Sequence, residues 1–400
     1  MGGRSGPGGA GRAGRTDARV AAPERAVGVV MPGGVDDPAA PSGGNVYDRR
    51  VCRDLPGLGW RVHEHVVAGD WPRPGAAGRE ELARVLAGAA DGSLFLLDGL
   101  VACAAPDVVV PEAERLRLAV LVHLPLADET GLGSERAAVL DAGERRTLRA
   151  AAAVVTTSHW AAGRLAAHHG LDPDRVHVAV PGADIGPLAP GSAPVAGTPR
   201  DVPRGTGGDP RLLCVASVTP RKGQHELVGA LASVADLPWS CSLVGGLEQD
   251  PAYVDRLRVL ITRYGLEERV HLAGPRSGPG LNAAYAGADL LVLASRAETY
   301  GMAATEALAR GVPVLATAVG GLPEAVGRAP DGGVPGALVP PDDPAALAAA
   351  LRRWLAEPGE RHRAKVAARR RRTALDGWES TARSLAKALE RLRLDSGEAA

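Results

Sequence analysis

Two glutamates, Glu298 and Glu306, bracket the run Thr299-Tyr300-Gly301-Met302-Ala303-Ala304-Thr305, directly after the apolar segment 289–295. Gly301 permits a tight turn, and 302–310 reads as a helix. The free N–H groups and the positive dipole end at the start of such a helix suit a diphosphate. Glu298, on the preceding loop, is placed to bond sugar hydroxyls, and Glu306, about a turn into the helix, to bond ribose hydroxyls. Taken alone, the same residues also fit two surface glutamates flanking an Ala-rich helix.

A second segment makes the pair more telling. Thr219-Pro220-Arg221-Lys222-Gly223 stands where an apolar run ends and a helical pattern begins, and Lys222 is one of only three lysines in the chain. Two cations at a helix start oppose the helix dipole, a local cost that makes sense if Arg221 and Lys222 meet an anion. Nearer the N-terminus, Pro41-Ser42-Gly43-Gly44-Asn45-Val46-Tyr47 opens a helix after a first strand. The paired Gly43 and Gly44 permit close approach of backbone to a ligand or, equally, a plain turn. His123 ends the apolar run 116–124 and points to the same region, as a cleft residue or as a structural hydrogen-bonder. His168 and His169 read as helix-surface or core residues.

No metal site is expected, because Asp36-Asp37 and Asp342-Asp343 sit before prolines and read as turn or capping acids. The match Gly6-Pro7-Gly8-Gly9-Ala10-Gly11 to a dinucleotide fingerprint has no strand before it and carries no weight.

These loops must be held by a scaffold, and the pattern along the chain supplies one. Residues 1–24 are Gly/Arg-rich with no apolar period and read as a disordered tail. From Ala26, apolar runs at 26–31, 59–67, 93–98, 116–124, 152–158 and 175–180 alternate with helical patterns such as 134–150 and 159–169. A Pro/Gly-rich break at 186–210 reads as a linker. A second series follows, with strands at 211–217, 240–246, 269–274, 289–295, 313–317 and 336–339 and helices near 222–235, 250–264, 301–310 and 343–356. The segment 274–282 reads as a loop, the Arg369 to Arg372 run as a solvated face, and 374–393 as a last helix. The expected organisation is a tail (1–24), a first domain (25–185), a linker (186–210), a second domain (211–373) and a closing helix (374–393) that packs back on the first domain. Such βα alternation gives two parallel sheets, and ligands bind beyond the carboxyl ends of their strands, in the cleft between the domains.

The 46 basic and 46 acidic residues balance, so no long-range field favours nucleic acid or an anionic membrane. Cys52, Cys103, Cys214 and Cys241 form no C-x-x-C pair and read as buried thiols in a reducing compartment. No apolar run is long enough to cross a bilayer, so a cytoplasmic protein without a stable membrane anchor is expected. Trp60, Trp71 and Trp160 are candidates to line an acceptor pocket.

Ser42-Gly43-Gly44, His123, the 219–223 segment, Val244-Gly245-Gly246, the Glu298…Glu306 pair and Gly336-Ala337-Leu338-Val339-Pro340-Pro341 together resemble the retaining GT-B glycosyltransferases, most specifically in the second half. The resemblance implies an α/β GT-B fold, with two Rossmann-like doubly wound domains facing each other across a cleft. It implies transfer of a hexosyl group from a nucleotide-diphosphate sugar, a co-substrate rather than a cofactor, to a hydroxyl on a small-molecule or glycoside acceptor. The first domain would hold the acceptor and the second the donor. Lys222 matches the family's diphosphate lysine, Glu298 its donor-sugar contact, Glu306 its ribose ligand and His123 its cleft histidine. The backbone amides of Gly301, Met302 and Ala303 would hold the diphosphate. The family usually has an arginine five residues before the lysine, where this chain has Ser217, so Arg221 would have to supply that charge. A sugar-nucleotide epimerase and a non-catalytic nucleotide-sugar-binding protein are the alternatives; a nicotinamide dehydrogenase is disfavoured because the first strand-to-helix loop lacks G-x-G-x-x-G.

Overall fold

The computed structural model describes Gly2 and residues 25–38, 41–129, 131–192 and 208–394. The expected tail (1–24), apart from Gly2, and the middle of the expected linker (193–207) lie outside the described residues.

Strands β1 (Ala26–Pro32), β2 (Arg61–Val67), β3 (Leu94–Asp98), β4 (Arg117–Val122), β5 (Ala153–Thr156) and β6 (Val176–Val178) form one parallel sheet in the order β2-β1-β3-β4-β5-β6. Strands β7 (Arg211–Val215), β8 (Ser240–Val244), β9 (Val270–Gly274), β10 (Leu290–Leu293), β11 (Val314–Thr317) and β12 (Gly336–Val339) form a second, in the order β12-β11-β10-β7-β8-β9. The central strands are apolar throughout rather than alternating, because helices cover both faces of a parallel sheet. All five residues of β3 and all four of β10 are buried.

Strand order fixes where ligands go. The chain leaves β7 first to one side, to β8, and later to the other, to β10, so a crevice opens between the carboxyl ends of β7 and β10. The corresponding crevice of the first sheet lies between β1 and β3. The 219–223 and 298–301 loops leave β7 and β10; the 41–44 loop and Asp98 leave β1 and β3.

One face of the first sheet is covered by the closing helix Trp378–Leu394, whose Trp378, Leu385, Leu389 and Leu392 recur at helical spacing and pack with Val29, Leu96, Leu121 and Val155. Each such leucine, buried, contributes about 1.5–3 kcal/mol, so the chain's last segment is a layer of its first lobe. All four cysteines are buried and free.

Three expectations are corrected. Residues 274–282 are not simply a loop, for Gly278–Ala286 is a helix started by Pro279 and closed over the core by Tyr285. The arginine run is a solvated face only at Arg369 and Arg370, which are exposed; Arg371 and Arg372 turn inward. Arg371 donates to the Val326 and Ala374 carbonyls, and Arg372 to those of Ala309 and Gly186, tying the end of the helix Pro358–Arg371 to the second lobe and to the segment that leads into it. Trp60 is a core residue, packed with Val27, Leu55 and Leu389 rather than lining a pocket.

Candidate functional site

The loop after β7 is pulled onto the end of β10. Gly223 adopts φ 66°, and a Cβ there would overlap the Ala294 carbonyl oxygen. Arg296 N–H donates to the Arg221 carbonyl at 2.8 Å, which fixes the two loops in register. The expected helix therefore starts later, at Gln224, after a single turn over Pro220–Lys222.

This approach brings Lys222 Nζ within 2.7 Å of both carboxylate oxygens of Glu298, with each side chain only 13% exposed. Arg221 Nη1 donates to the Ala297 carbonyl at 3.3 Å and lies 3.7 Å from Glu298. Burial lowers the affinity of Lys222 for its proton; Glu298 opposes that shift and Arg221 adds to it. At the Ser217 position the backbone carbonyl accepts from the Gln224 side-chain amide at 2.9 Å, so no side-chain cation stands there.

Glu306 lies on the helix Met302–Leu308, a turn beyond the ion pair. Its Oε2 accepts a hydrogen bond from the buried Tyr285 hydroxyl at 2.8 Å. Burial raises its affinity for a proton, and the Tyr285 bond and Arg310 restrain that rise. Arg310 also covers the Tyr285 ring, 5.0 Å from its centroid.

Across the groove, Ser42 caps the helix Gly43–Asp54 by accepting from Asn45 N–H at 3.1 Å. A Cβ on Gly43 would lie 3.1 Å from Met302 Sδ, and one on Gly44 the same distance from the His123 ring. The two glycines thus let the first lobe's loop meet the start of the second lobe's helix. His123, just beyond β4, joins its Nε2 to Asp48 Oδ1 at 2.8 Å.

The lobes are joined directly at this point. Thr299 Oγ1 donates to the His123 carbonyl at 2.6 Å, and Ser158 Oγ donates to the Thr299 carbonyl at 2.5 Å. Glu324 accepts from the His159 and Trp160 N–H groups, so a side chain of the second lobe caps the helix His159–His169 of the first. Lys222, Glu298, Met302, Gly43, Gly44 and His123 therefore line one groove, with Glu306 and Arg221 at its second-lobe wall.

Asp48, Asp98, Tyr285, Thr299 and Glu324 belong to this region and were not singled out from sequence. Only Thr299, lying inside the Glu298–Glu306 run, carried any signal. Trp71 is half-buried with its indole N–H on the Val67 carbonyl, and Trp160 is exposed at the start of the capped helix. His169 is buried against Glu144, and His168 is exposed and paired with Asp141. Asp343 caps the helix Pro344–Ala356, and Asp36 pairs with Arg49. No helix among the described residues is long and apolar enough to cross a membrane.

Residues 200–371 match the family Glycosyl transferases group 1. The chain is 38% identical over 231 residues to D-inositol 3-phosphate glycosyltransferase 1 of Catenulispora acidiphila, covering 54% of this chain and 52% of that protein. It is 34% identical over 252 residues to the D-inositol 3-phosphate glycosyltransferase of Kineococcus radiotolerans, covering 60% and 57%. The matches thus span little more than half the length of these curated relatives. Among solved structures, sucrose-phosphate synthase from Thermosynechococcus elongatus superposes with a TM-score of 0.72 at 24% identity, over 92% of this chain and 99% of that one. HepE of Anabaena in complex with UDP-glucose superposes with a TM-score of 0.70 at 20% identity, over 92% and 99%. At those identities the likeness speaks for the fold, which is the two-lobed GT-B arrangement.

Proposed function

We infer that the protein is a retaining, metal-independent glycosyltransferase that moves a hexosyl group from a nucleotide-diphosphate sugar to a hydroxyl of a soluble acceptor. The observation that carries this reading is the convergence of Lys222, Glu298 and the start of the helix Met302–Leu308 at the β7/β10 crevice, facing Gly43, Gly44 and His123 across the groove. Lys222, Arg221 and the amides of Gly301, Met302 and Ala303 serve the diphosphate, Glu298 the donor sugar and Glu306 the ribose.

In the reaction, the acceptor oxygen bonds to the anomeric carbon on the face from which the diphosphate departs. The bond from that carbon to the phosphate oxygen breaks, and the hydroxyl proton passes to the departing oxygen. The cations and backbone N–H groups take up the charge that develops on the leaving diphosphate, the task a metal performs elsewhere. The names of the curated relatives make an inositol phosphate the first acceptor to try.

The test is a screen of UDP-, GDP- and ADP-sugars for thermal stabilisation, followed by turnover with inositol phosphate in excess EDTA. A bound donor raises the melting temperature by an amount that grows with the logarithm of its concentration over its Kd. Stabilisation by one donor, product with an unchanged anomeric configuration and loss of turnover in Glu298→Ala are expected. No stabilisation by any nucleotide sugar, or abolition of turnover by EDTA, counts against the reading. Product formed from donor alone would reveal an epimerase instead.

A further inference from the structure

Behind His123 lies a cluster that the groove chemistry has not yet used. Asp48, on the helix Gly43–Asp54, is 2% exposed. Its Oδ1 meets His123 Nε2 at 2.8 Å, while its Oδ2 is sealed from solvent and has no hydrogen-bond partner. Asp98, at the end of β3, is also buried, and ligand atoms of Asp48, Asp98 and His123 all lie within 4.8 Å of one another.

We propose that Asp48, steadied by Asp98, is a positioning residue that fixes the His123 ring with a proton on Nε2 and so presents Nδ1 to the groove. This rests on the groove being the donor site.

Two buried carboxylates this close cannot both be ionised. Asp98 Oδ1 accepts from Leu100 N–H at 2.6 Å, and burial together with the Asp48 charge drives Asp98 toward its protonated form. The proton on its other oxygen then has a natural acceptor in the orphaned Asp48 Oδ2. With Oδ2 taking that proton, Asp48 Oδ1 is the oxygen that accepts from the imidazole Nε2. Burial is the largest single influence and disfavours a charged His123, but the Asp48 charge, its hydrogen bond and the nearby Asp98 together raise the ring's proton affinity.

The ring is held from its other sides as well. Tyr47 packs edge-on at 5.1 Å between centroids, and a Cβ on Gly44 would lie 3.1 Å from Cδ2, so any larger residue there would press on the ring. Tyr47 is fully buried, donates to the Ala179 carbonyl and stays neutral, so Asp48, Asp98 and Tyr47 are the titratable groups that face the ring. Nδ1 has no protein partner among the described residues and is not sealed from solvent. It is the ring atom available to a sugar hydroxyl.

The experiment uses the full chain labelled with 15N-histidine, with the His123 signals assigned through His123→Gln. Two-bond 15N–1H correlations in the unmutated protein should show the proton on Nε2 in the neutral form; a proton on Nδ1 overturns the proposal without any Asp48 variant having to fold. In Asp48→Asn the titration midpoint of His123 should fall by about one unit, a tenfold loss of proton affinity. Its kcat should fall by about 100-fold, the lower range of what a positioned proton-bearing side chain supplies, with the donor KM changed by less than about threefold. Asp98→Asn, whose amide donates where the carboxyl did, should preserve the His123 tautomer.

An unchanged His123 titration in Asp48→Asn overturns the proposal. So does a stoichiometric divalent metal in the purified chain that Asp48→Asn loses. Failure of the donor-site reading shows separately, as absence of nucleotide-sugar binding by the unmutated protein.

Discussion

Lys222 and Glu298 hold each other at 2.7 Å through both carboxylate oxygens, in a part of the groove almost closed to water. Without a ligand, the cation assigned to phosphate and the acid assigned to sugar satisfy one another. In the proposed reaction, donor binding redirects both groups rather than recruiting free ones. Removing Glu298 leaves the buried Lys222 without a counter-ion, at a cost of about 3 kcal/mol, whereas removing Lys222 costs less because Arg221 stays 3.7 Å from Glu298. Lys222→Met and Glu298→Gln should each lower stability in urea titrations. The double variant should recover most of it and still fail to bind donor. A double variant no more stable than the singles would mean that the two groups are not coupled.

The Tyr285 hydroxyl bears on Glu306 as Asp48 does on His123. Tyr285→Phe removes one donated bond, worth roughly 1 kcal/mol, so donor affinity should fall about fivefold with little loss of stability. Burial already raises the proton affinity of Glu306 and the Tyr285 bond restrains it. Without the bond, more Glu306 is protonated at a given pH and cannot accept from ribose. The affinity deficit should then widen as pH is lowered from neutrality, measured by calorimetry. A deficit independent of pH would show that Glu306 is not the group Tyr285 tunes.

The strands could be read because each is an apolar run that a parallel sheet buries on both faces, and the helices 134–150 and 159–169 because amphipathic spacing and clear starts delimit them. The helix Gly278–Ala286 escaped notice because its glycines and Pro279 are also turn formers, and only Tyr285 docking in the core decides the matter. Glu298 and Lys222 stood out as residue types in loops, but their pairing depends on the close approach at Gly223. Asp48 meets His123 across 75 positions of sequence, and no local pattern encodes that contact. The arginine run shows the converse, since charge alone suggested solvent while backbone carbonyls at 309, 326 and 186 were waiting to accept from it.

Glu324 reaches from one lobe to cap a helix of the other. An anion at a helix N-terminus contributes about 0.3–1 kcal/mol, and its hydrogen bonds to the His159 and Trp160 N–H groups add to that. Glu324→Ala should shift the balance toward separated lobes by roughly fivefold, seen as a larger radius of gyration in small-angle scattering. Glu324→Gln, which keeps an acceptor, should fall between. An unchanged scattering profile in Glu324→Ala would assign the closure to the Thr299 and Ser158 bonds alone.

Asp98 offers the clearest dependence of stability on pH. Its proton affinity in the folded protein is raised well above that of an unfolded aspartate, first by burial and then by Asp48. Between the two values the native state binds more protons than the unfolded chain, so stability is fully present below the unfolded pKa and is lost as pH rises toward the folded one. Asp98→Asn removes the need to take up that proton while keeping an oxygen for Leu100 N–H and a donor for Asp48. The variant should therefore be more stable than the parent at pH 8, and the advantage should shrink as pH falls toward 4. Urea titrations at pH 5 and pH 8 measure it directly. A variant less stable than the parent by the same amount at both pH values would mean that Asp98 is ionised in the fold, and the order of charges behind His123 would have to be reversed.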